Sequence, residues 1–248
     1  MSIVLVHGNP ETDALWGPLV EALGREDVVR LSPPGFGAPL PQDFPATYLA
    51  YRDWLEGELE RIGGPIDLVG HDWGGGHVMN VVMHRPELVR SWASDAVGLF
   101  DADYVWHDMA QVWQTPGDGE QLVDTMLGGT VADRAAQMGA LGIPPDIATS
   151  IAREQDAAMG RAILALYRSA AQPAMAEAGR ALENAATRPG LSLLATDDPY
   201  IGGEETRRRA ADRAGARTAV LDGLGHWWMV QDPARGAAAL TEFWNLLD

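Results

Sequence analysis

Short apolar runs separated by helical stretches are the feature that most constrains the fold of this chain. Each run is followed by a glycine or a polar residue, and the runs are Ile3–Val6, Val28–Leu31, Ile66–Val69, Ser91–Ser94, Leu191–Ala195 and Thr218–Leu221. They are apolar throughout rather than alternating, which is typical of strands buried on both faces of a parallel sheet. Because strand–helix alternation implies right-handed crossovers, we predict an α/β fold with a doubly wound, mostly parallel sheet of about six strands.

Helical segments account for most of the chain between these runs. We predict helices at about Leu15–Leu23, Tyr48–Ile62, Gly76–His84 and Pro233–Leu247. The alternation stops between about Asp101 and Arg188, where Ala, Met and Trp are frequent and a helical run covers Asp146–Ala171. We therefore predict a core formed by residues 1–100 and 189–248, with residues 101–188 inserted as a helical cap that closes a pocket over the strand ends.

Composition and charge exclude several classes of protein. Hydrophobic residues make up 46% of the chain and charged residues 21%, which is the balance of a folded domain. A net charge of −17 repels nucleic acids and anionic membrane surfaces. The absence of cysteine excludes disulfides, thiolate zinc sites and a Cys nucleophile. Since no apolar run approaches the ~20 residues that span a bilayer, and no basic signal segment precedes the first strand, we expect a cytoplasmic monomer or homodimer.

A strand that runs directly into a glycine-flanked turn is the sharpest chemical motif. The turn reads Gly70-His71-Asp72-Trp73-Gly74, which is a nucleophile elbow with Asp in place of the more common Ser. Neighbours without side chains relieve the crowding of such a turn, so that the central residue projects from the top of the sheet. The alternative is a plain turn in which Asp72 caps the following helix.

Two further motifs follow predicted strands. His7-Gly8-Asn9-Pro10 lies where the loop supplies one backbone N–H of an oxyanion hole, and the residue after the nucleophile, Trp73, supplies the other. Asn9-Pro10 is also a common turn initiator. Near the C-terminus, His226 stands beside Gly225 after a strand and can act as a general base, although a buried structural histidine would look the same alone.

A carboxylate between the elbow and His226 completes a triad. The segment Asp197-Asp198-Pro199 follows a predicted strand, and a carboxylate there can orient the imidazole and stabilise its charged form. The chain order nucleophile, acid, histidine is that of α/β-hydrolases. We therefore predict a catalytic triad of Asp72, Asp198 and His226, with Asp197 as the alternative acid.

With these residues in place, the chain resembles the α/β-hydrolases that use an Asp nucleophile, namely epoxide hydrolases and haloalkane dehalogenases. The resemblance covers nearly the whole chain and rests on His7–Pro10, Gly70–Gly75, Asp197–Pro199 and Gly225-His226. It begins at what would be the third strand of the family, which leaves six strands and a short N-terminus, with the cap inserted after the sixth family strand. It favours Asp198 because the acid of the family usually precedes the proline.

An aspartate nucleophile implies displacement at an sp3 carbon. The carboxylate forms an alkyl ester, a water activated by histidine then hydrolyses that ester, and the oxyanion hole stabilises the tetrahedral intermediate. The substrate is then a small apolar organic molecule in a pocket with few polar groups. An esterase acting on carboxylic esters would require Ser at the elbow, and a remoter alternative is a homologue that binds small molecules without catalysis.

The leaving group separates the two families. Asn9 and Trp73 match residues that hold the halide in some dehalogenases. In contrast, Ile163–Arg168 resembles the Tyr-Arg cap motif of epoxide hydrolases, which implies that Tyr167 protonates the epoxide oxygen. Trp113–Gly117 and Pro10-Glu11 also resemble epoxide hydrolases, but the position near Met109 lacks the first of their two tyrosines. We favour an epoxide hydrolase that produces a vicinal diol, with haloalkane dehalogenase as the alternative.

Several other residues are candidates for the pocket. Tyr104 lies five residues before Met109, and His107, Trp113 and Trp227 are the other residues that could line the pocket. Packing is the competing interpretation for each aromatic residue, including Tyr167, which shares a helical face with Ile163. The histidines show no metal-binding spacing and no dinucleotide motif is present, so we predict neither a metal nor a cofactor.

Overall fold

The computed structural model describes residues 2–247 and contains one six-stranded parallel sheet. The strands, in chain order, are β1 (Ser2–Val6), β2 (Val28–Leu31), β3 (Ile66–Gly70), β4 (Ser91–Ser94), β5 (Gly190–Ala195) and β6 (Ala216–Leu221). Their order across the sheet is β2-β1-β3-β4-β5-β6. The predicted α/β fold is confirmed, and each predicted apolar run forms one of these strands.

Helices cover both faces of the sheet and the segment between β4 and β5. They are α1 (Gly17–Leu23), α2 (Tyr48–Ile62), α3 (Trp73–His84), α4 (Asp108–Gln114), α5 (Asp118–Leu127), α6 (Val131–Ala140), α7 (Pro145–Glu154), α8 (Ala157–Ser169), α9 (Ala174–Ala178), α10 (Glu204–Arg213), α11 (Trp228–Gln231) and α12 (Pro233–Asn245). None of the helices within residues 2–247 combines the length and the apolar character needed to cross a membrane. The division into a core and a cap stays a prediction, although α4–α9 all lie in the segment predicted as the cap.

Successive strand residues point into two separate apolar layers. Val4 and Leu68 pack in the layer beneath α2 and α3, whereas Leu5 and Val69 pack in the layer beneath α1 and α12. All four side chains are fully buried. This double burial explains why the central strands β1 and β3 are so apolar, because neither of their faces meets water.

The register of the sheet brings the ends of its central strands to one edge. Val6 pairs with Gly70, and Gly70 pairs with Ser94, so β1, β3 and β4 all end at the same level. The residues that follow them therefore emerge side by side, as expected for ligand sites at the carboxyl ends of parallel strands.

The predicted helix Asp146–Ala171 is wrong in one respect, because the structure contains two helices there. α7 ends at Glu154 and α8 begins at Ala157. Asp156 lies between them in extended conformation, and its carboxylate accepts the N–H of Met159 at 2.9 Å. A side chain that caps a new helix N-terminus stabilises the break, and apolar periodicity does not reveal it.

A buried histidine on α3 provides a test of this packing. The His77 ring stacks between Tyr51 (centroids 4.8 Å apart) and Trp73 (5.7 Å), and burial lowers its pKa to about 3. The folded pKa lies below the ordinary 6.5, so the neutral His77 ring contributes its full stabilisation above pH 6.5. As the pH falls from 6.5 towards 3, this contribution to the free energy of unfolding decreases by about 1.4 kcal/mol per pH unit.

We expect His77→Phe to keep the stacked ring while removing this acid sensitivity. Urea unfolding between pH 6.5 and 4 should show a shallower loss of free energy than in the wild type. His84→Phe is the matched control, because that ring is half exposed on the same helix, and it should leave the slope unchanged. Parallel curves for His77→Phe and the wild type would contradict the prediction.

Candidate active site

The elbow at the end of β3 holds Asp72 in a strained backbone conformation. Its φ of 51° and ψ of −126° lie outside the regions that ordinary residues prefer. A Cβ atom at Gly74 would collide with the carbonyl oxygens of Val6 and His7, and one at Gly70 would collide with Gly74. The glycines therefore allow β3, the turn and α3 to pack against the loop that follows β1.

Backbone N–H groups surround the Asp72 carboxylate. The N–H of Asn9 donates to Oδ1 at 3.1 Å, and the backbone N–H of Trp73 also donates to the carboxylate. Burial raises the pKa of Asp72 to about 6, and the positive charge of His226 opposes that increase. The carboxylate is thus mainly ionised at neutral pH, and the predicted pair of oxyanion donors lies against it.

His226 connects the other two members of the predicted triad. Its Nδ1 lies 2.9 Å from Asp198 Oδ2, and its Nε2 lies 3.8 Å from Asp72 Oδ2. Burial lowers the pKa of His226, but the Asp198 carboxylate outweighs that effect and raises it overall. Asp197 is exposed and hydrogen-bonds to Thr196 instead. The structure therefore brings together Asp72, Asp198 and His226, and their catalytic roles stay predictions.

The hydroxyl of Tyr167 lies at the same end of the sheet. Asn9 Nδ2 donates to the Tyr167 oxygen at 3.2 Å and lies 3.4 Å from Asp72 Oδ1. The side chain of Trp73 also hydrogen-bonds to Tyr167. Burial, followed by the charge of Asp72, raises the pKa of Tyr167 well above its ordinary value, so the phenol stays protonated. Helical periodicity left open a pure packing role for Tyr167, yet its polar end faces the candidate nucleophile.

The other predicted pocket residues form an aromatic wall around Tyr167. Trp113 lies 4.6 Å from the Tyr167 ring, and His107 contacts both Tyr167 and Trp113 while its Nδ1 accepts the N–H of Ala110. Burial lowers the pKa of His107 to about 4, so this ring is neutral at pH 7. The Tyr104 hydroxyl donates to the carbonyl oxygen of Tyr200 at 3.0 Å, so its hydrogen is directed to the backbone and not to the Asp72 carboxylate.

Trp227 is placed next to the triad by two contacts. Its ring lies 5.0 Å from the His226 ring, edge to face, and its indole N–H donates to the Glu11 carboxylate. Trp106 is an additional member of the aromatic wall that the sequence did not single out, and it stacks on Trp73 at 5.7 Å. Apolar aromatic surface around a few polar groups is typical of a site for a small organic molecule.

A buried charge network beneath the triad was missed at the level of sequence. Asp95 directly follows β4 and accepts three N–H groups, from His71 Nδ1 at 2.6 Å, the Asp72 backbone at 2.9 Å and the indole of Trp228 at 2.7 Å. Glu11 lies 3.4 Å from the other side of the His71 ring. The sequence did contain a signal for Asp95. Asp95 follows β4 as Asp72 follows β3, so a carboxylate stands at the end of each of these central strands.

Three of these residues could hold a metal ion. Within the described residues 2–247, ligand atoms of Glu11, His71 and His226 all lie within 4.8 Å of one another. They come from the loops after three different strands, so no spacing along one segment discloses them.

A family model described as "Alpha/beta hydrolase family" matches residues 3–239 of this chain, and the chain belongs to that family. The prediction that the chain is an α/β-hydrolase enzyme is thereby confirmed. No curated protein sequence matches this chain significantly.

Solved structures share the fold at low sequence identity. The haloalkane dehalogenase DatA from Agrobacterium tumefaciens matches with a TM-score of 0.79 and 18% identity, covering 100% of this chain and 90% of that one. The haloalkane dehalogenase DbeA from Bradyrhizobium elkanii matches with a TM-score of 0.72 and 18% identity, covering 99% and 90%. An E-2-(acetamidomethylene)succinate hydrolase matches with a TM-score of 0.71 and 17% identity, covering 98% and 91%.

The triple contact of Asp95 predicts a large effect of its loss. We expect Asp95→Asn to destabilise the protein by about 3 kcal/mol, because the amide nitrogen would face buried donors and the charge that pairs with His71 would be removed. Urea unfolding measures this change. Asp103→Asn is the control, because this exposed carboxylate pairs with Arg209 at the surface and should lose less than about 1 kcal/mol. Equal stabilities of the two variants would refute the structural importance of Asp95.

Proposed function

We propose that this α/β-hydrolase opens epoxides through a covalent ester on Asp72 and releases a vicinal diol. The observation that carries the proposal is the hydroxyl of Tyr167, which lies beside the candidate nucleophile and receives hydrogen bonds from Asn9 and Trp73. Both donors are the side chains that would otherwise bind a halide. Because they donate to the phenol oxygen, the proton of Tyr167 remains free for a leaving oxygen.

The first step is displacement at carbon. An oxygen of the Asp72 carboxylate attacks one epoxide carbon, the C–O bond breaks, and the epoxide oxygen takes the proton of Tyr167. A phenol is suited to this task, since an alkoxide is a strong base and needs a proton as it leaves. The hydrogen bonds from Asn9 and Trp73 stabilise the phenolate that remains. The phenolate of Tyr167 is reprotonated at the end of the second step, when the Asp72 carboxyl group gives up the proton of the added hydroxide.

The second step is hydrolysis of the ester. His226 Nε2, which lies 3.8 Å from Asp72 Oδ2, takes a proton from water, and the hydroxide adds to the carboxyl carbon of Asp72. The negative charge that forms on the carbonyl oxygen is stabilised by the backbone N–H groups of Asn9 and Trp73. Collapse of this intermediate returns the Asp72 carboxylate, and the diol oxygen takes the proton from His226. Asp198 stabilises the charged imidazole throughout.

A covalent adduct on Asp72 is the central prediction of this mechanism. We expect His226→Gln to form the ester and fail to hydrolyse it, so that intact-protein mass spectrometry shows one addition with the mass of the substrate. Peptide mapping should place that addition on Asp72. The double variant with Asp72→Ala is the control and should show no adduct. If wild-type enzyme turns over epoxide while His226→Gln never accumulates an adduct, water attacks the substrate directly.

Removal of the Tyr167 hydroxyl distinguishes an oxygen leaving group, which needs a proton donor, from a halide, which does not. We expect Tyr167→Phe to slow alkylation of Asp72 by styrene oxide roughly 100-fold or more, because the leaving oxygen loses its proton donor. Rapid-quench measurement of the adduct in the His226→Gln background isolates this step. Tyr51→Phe is the matched control, since that buried hydroxyl donates to Pro34 away from Asp72. Alkylation at the wild-type rate in Tyr167→Phe would assign Tyr167 to packing alone.

Haloalkane dehalogenase is the second candidate, and one observation favours it. The side chains of Asn9 and Trp73 stand together next to Asp72, which is an arrangement able to bind a halide. Solved dehalogenases also share the fold. Side-by-side assays of diol formation from epoxides and halide release from haloalkanes in the wild type decide between the candidates. Under this alternative, Tyr167→Phe should increase halide release, because it frees both N–H donors.

A further inference from the structure

Glu11, His71 and His226 form a compact cluster, which we call the Glu11 cluster. Ligand atoms of the three side chains lie within 4.8 Å of one another, and all three residues are buried. Glu11 Oε1 and His71 Nε2 are 3.4 Å apart. Each residue follows the carboxyl end of a different strand, so the cluster lies at the edge of the sheet where β1, β3 and β6 end.

Two polar atoms of this cluster are poorly satisfied. Among the residues that the structure describes, nothing makes a hydrogen bond to Glu11 Oε2, and His71 Nε2 has only the long 3.4 Å contact with Glu11 Oε1. Buried polar atoms without partners are costly in a native protein and call for an explanation. Both atoms belong to residue types that bind metals, and His226 Nε2 lies close by.

The surroundings of the two imidazoles are those of metal ligands. Asp95 Oδ2 lies 2.6 Å from His71 Nδ1, and Asp198 Oδ2 lies 2.9 Å from His226 Nδ1. A carboxylate at one ring nitrogen fixes the ring and makes the opposite nitrogen a stronger donor of its electron pair. The indole of Trp227 holds Glu11 by its other oxygen, Oε1.

The charges also suit a dication. Asp72 Oδ2 lies 3.8 Å from His226 Nε2, so a second carboxylate borders the cluster. A metal would displace the proton of each imidazole that faces it, and the two neutral rings with the carboxylates of Glu11 and Asp72 would then balance the charge of one dication. Imidazole nitrogen together with carboxylate oxygen favours zinc, cobalt, nickel or copper over calcium or magnesium, which prefer oxygen ligands alone.

We propose that the Glu11 cluster binds one first-row transition-metal dication of the zinc type, and that this binding inhibits the enzyme. The consequence for activity rests on the proposed function. The metal would take the electron pair of His226 Nε2, which is the base for ester hydrolysis, and thereby leave the alkylated enzyme unable to release its product.

Binding is tested without reference to activity. After treatment with a chelator, full-length protein is titrated with Zn²⁺ by calorimetry and with Co²⁺ by visible absorption. We expect one ion per chain, and at least a tenfold weaker affinity in Glu11→Gln and in His71→Gln. His84→Gln is the matched control, because this exposed histidine pairs with Glu56 far from the cluster, and it should bind as the wild type does. Equal affinity in Glu11→Gln and the wild type would overturn the proposal.

A measurement on unmodified protein covers the case in which a buried substitution prevents folding. X-ray absorption of the zinc-loaded wild type should show two imidazole ligands and at least one carboxylate. A first shell without two imidazoles would refute the site.

The kinetic outcome separates this proposal from the proposed function. Zn²⁺ added to the wild type should abolish turnover of styrene oxide, whereas His226→Gln without metal should accumulate the Asp72 adduct. If zinc binds the cluster but metal-free His226→Gln accumulates no adduct, the metal site stands and the covalent mechanism fails. If the adduct forms in His226→Gln but zinc neither binds nor inhibits the wild type, the covalent mechanism stands and the metal site fails.

Discussion

The cost of burying the Asp72 carboxylate is the constraint on which the rest of this structure depends. A carboxylate withdrawn from water must be surrounded by N–H donors or positive charge, or it takes up a proton. The parallel sheet meets this requirement at its carboxyl edge, where the loop after β1 and the first turn of α3 both direct backbone N–H groups to Asp72. The strained elbow fixes that geometry, and under the proposed mechanism the same donors would stabilise the oxyanion formed during ester hydrolysis.

The charge beneath Asp72 is arranged in layers. The Asp95 carboxylate accepts hydrogen bonds from the Asp72 backbone N–H and from His71 Nδ1. Glu11 lies on the other side of the His71 ring, near Nε2. Burial lowers the pKa of His71, but the two carboxylates outweigh that effect and raise it well above the ordinary value. A charged His71 compensates the neighbouring Asp95 and Glu11 carboxylates and so holds the loops after β1, β3 and β4 together. The elbow is therefore supported by electrostatics as well as by glycine packing.

The segment predicted as the cap contributes side chains that lie beside Asp72. Tyr167 on α8 brings a phenol to Asn9 and Trp73, and Trp113 on α4 packs against its ring. Asp72 is buried, and the low dielectric of its surroundings strengthens its interactions with neighbouring groups. Under the proposed mechanism the core would provide the nucleophile and the base, and Tyr167 would select an oxygen leaving group.

The sequence by itself determined the fold, and it predicted three residues, Asp72, Asp198 and His226, that the structure brings together. Strands buried on both faces leave uninterrupted apolar runs, and an elbow needs glycine on both sides of its nucleophile, so both features are written locally in the chain. Even the choice of Asp198 over Asp197 agrees with the contacts of His226.

Only the tertiary structure decided which side chains meet. Glu11 and Asp95 looked like ordinary loop residues, because their partner His71 comes from a third loop and pairing between loops leaves no periodic pattern. The break at Asp156 and the orientation of the Tyr167 hydroxyl depended in the same way on competing contacts. The local sequence pattern indicates which residues are buried and what backbone geometry they adopt. Which polar groups meet is decided by the register of the sheet and by the packing of the helices above it.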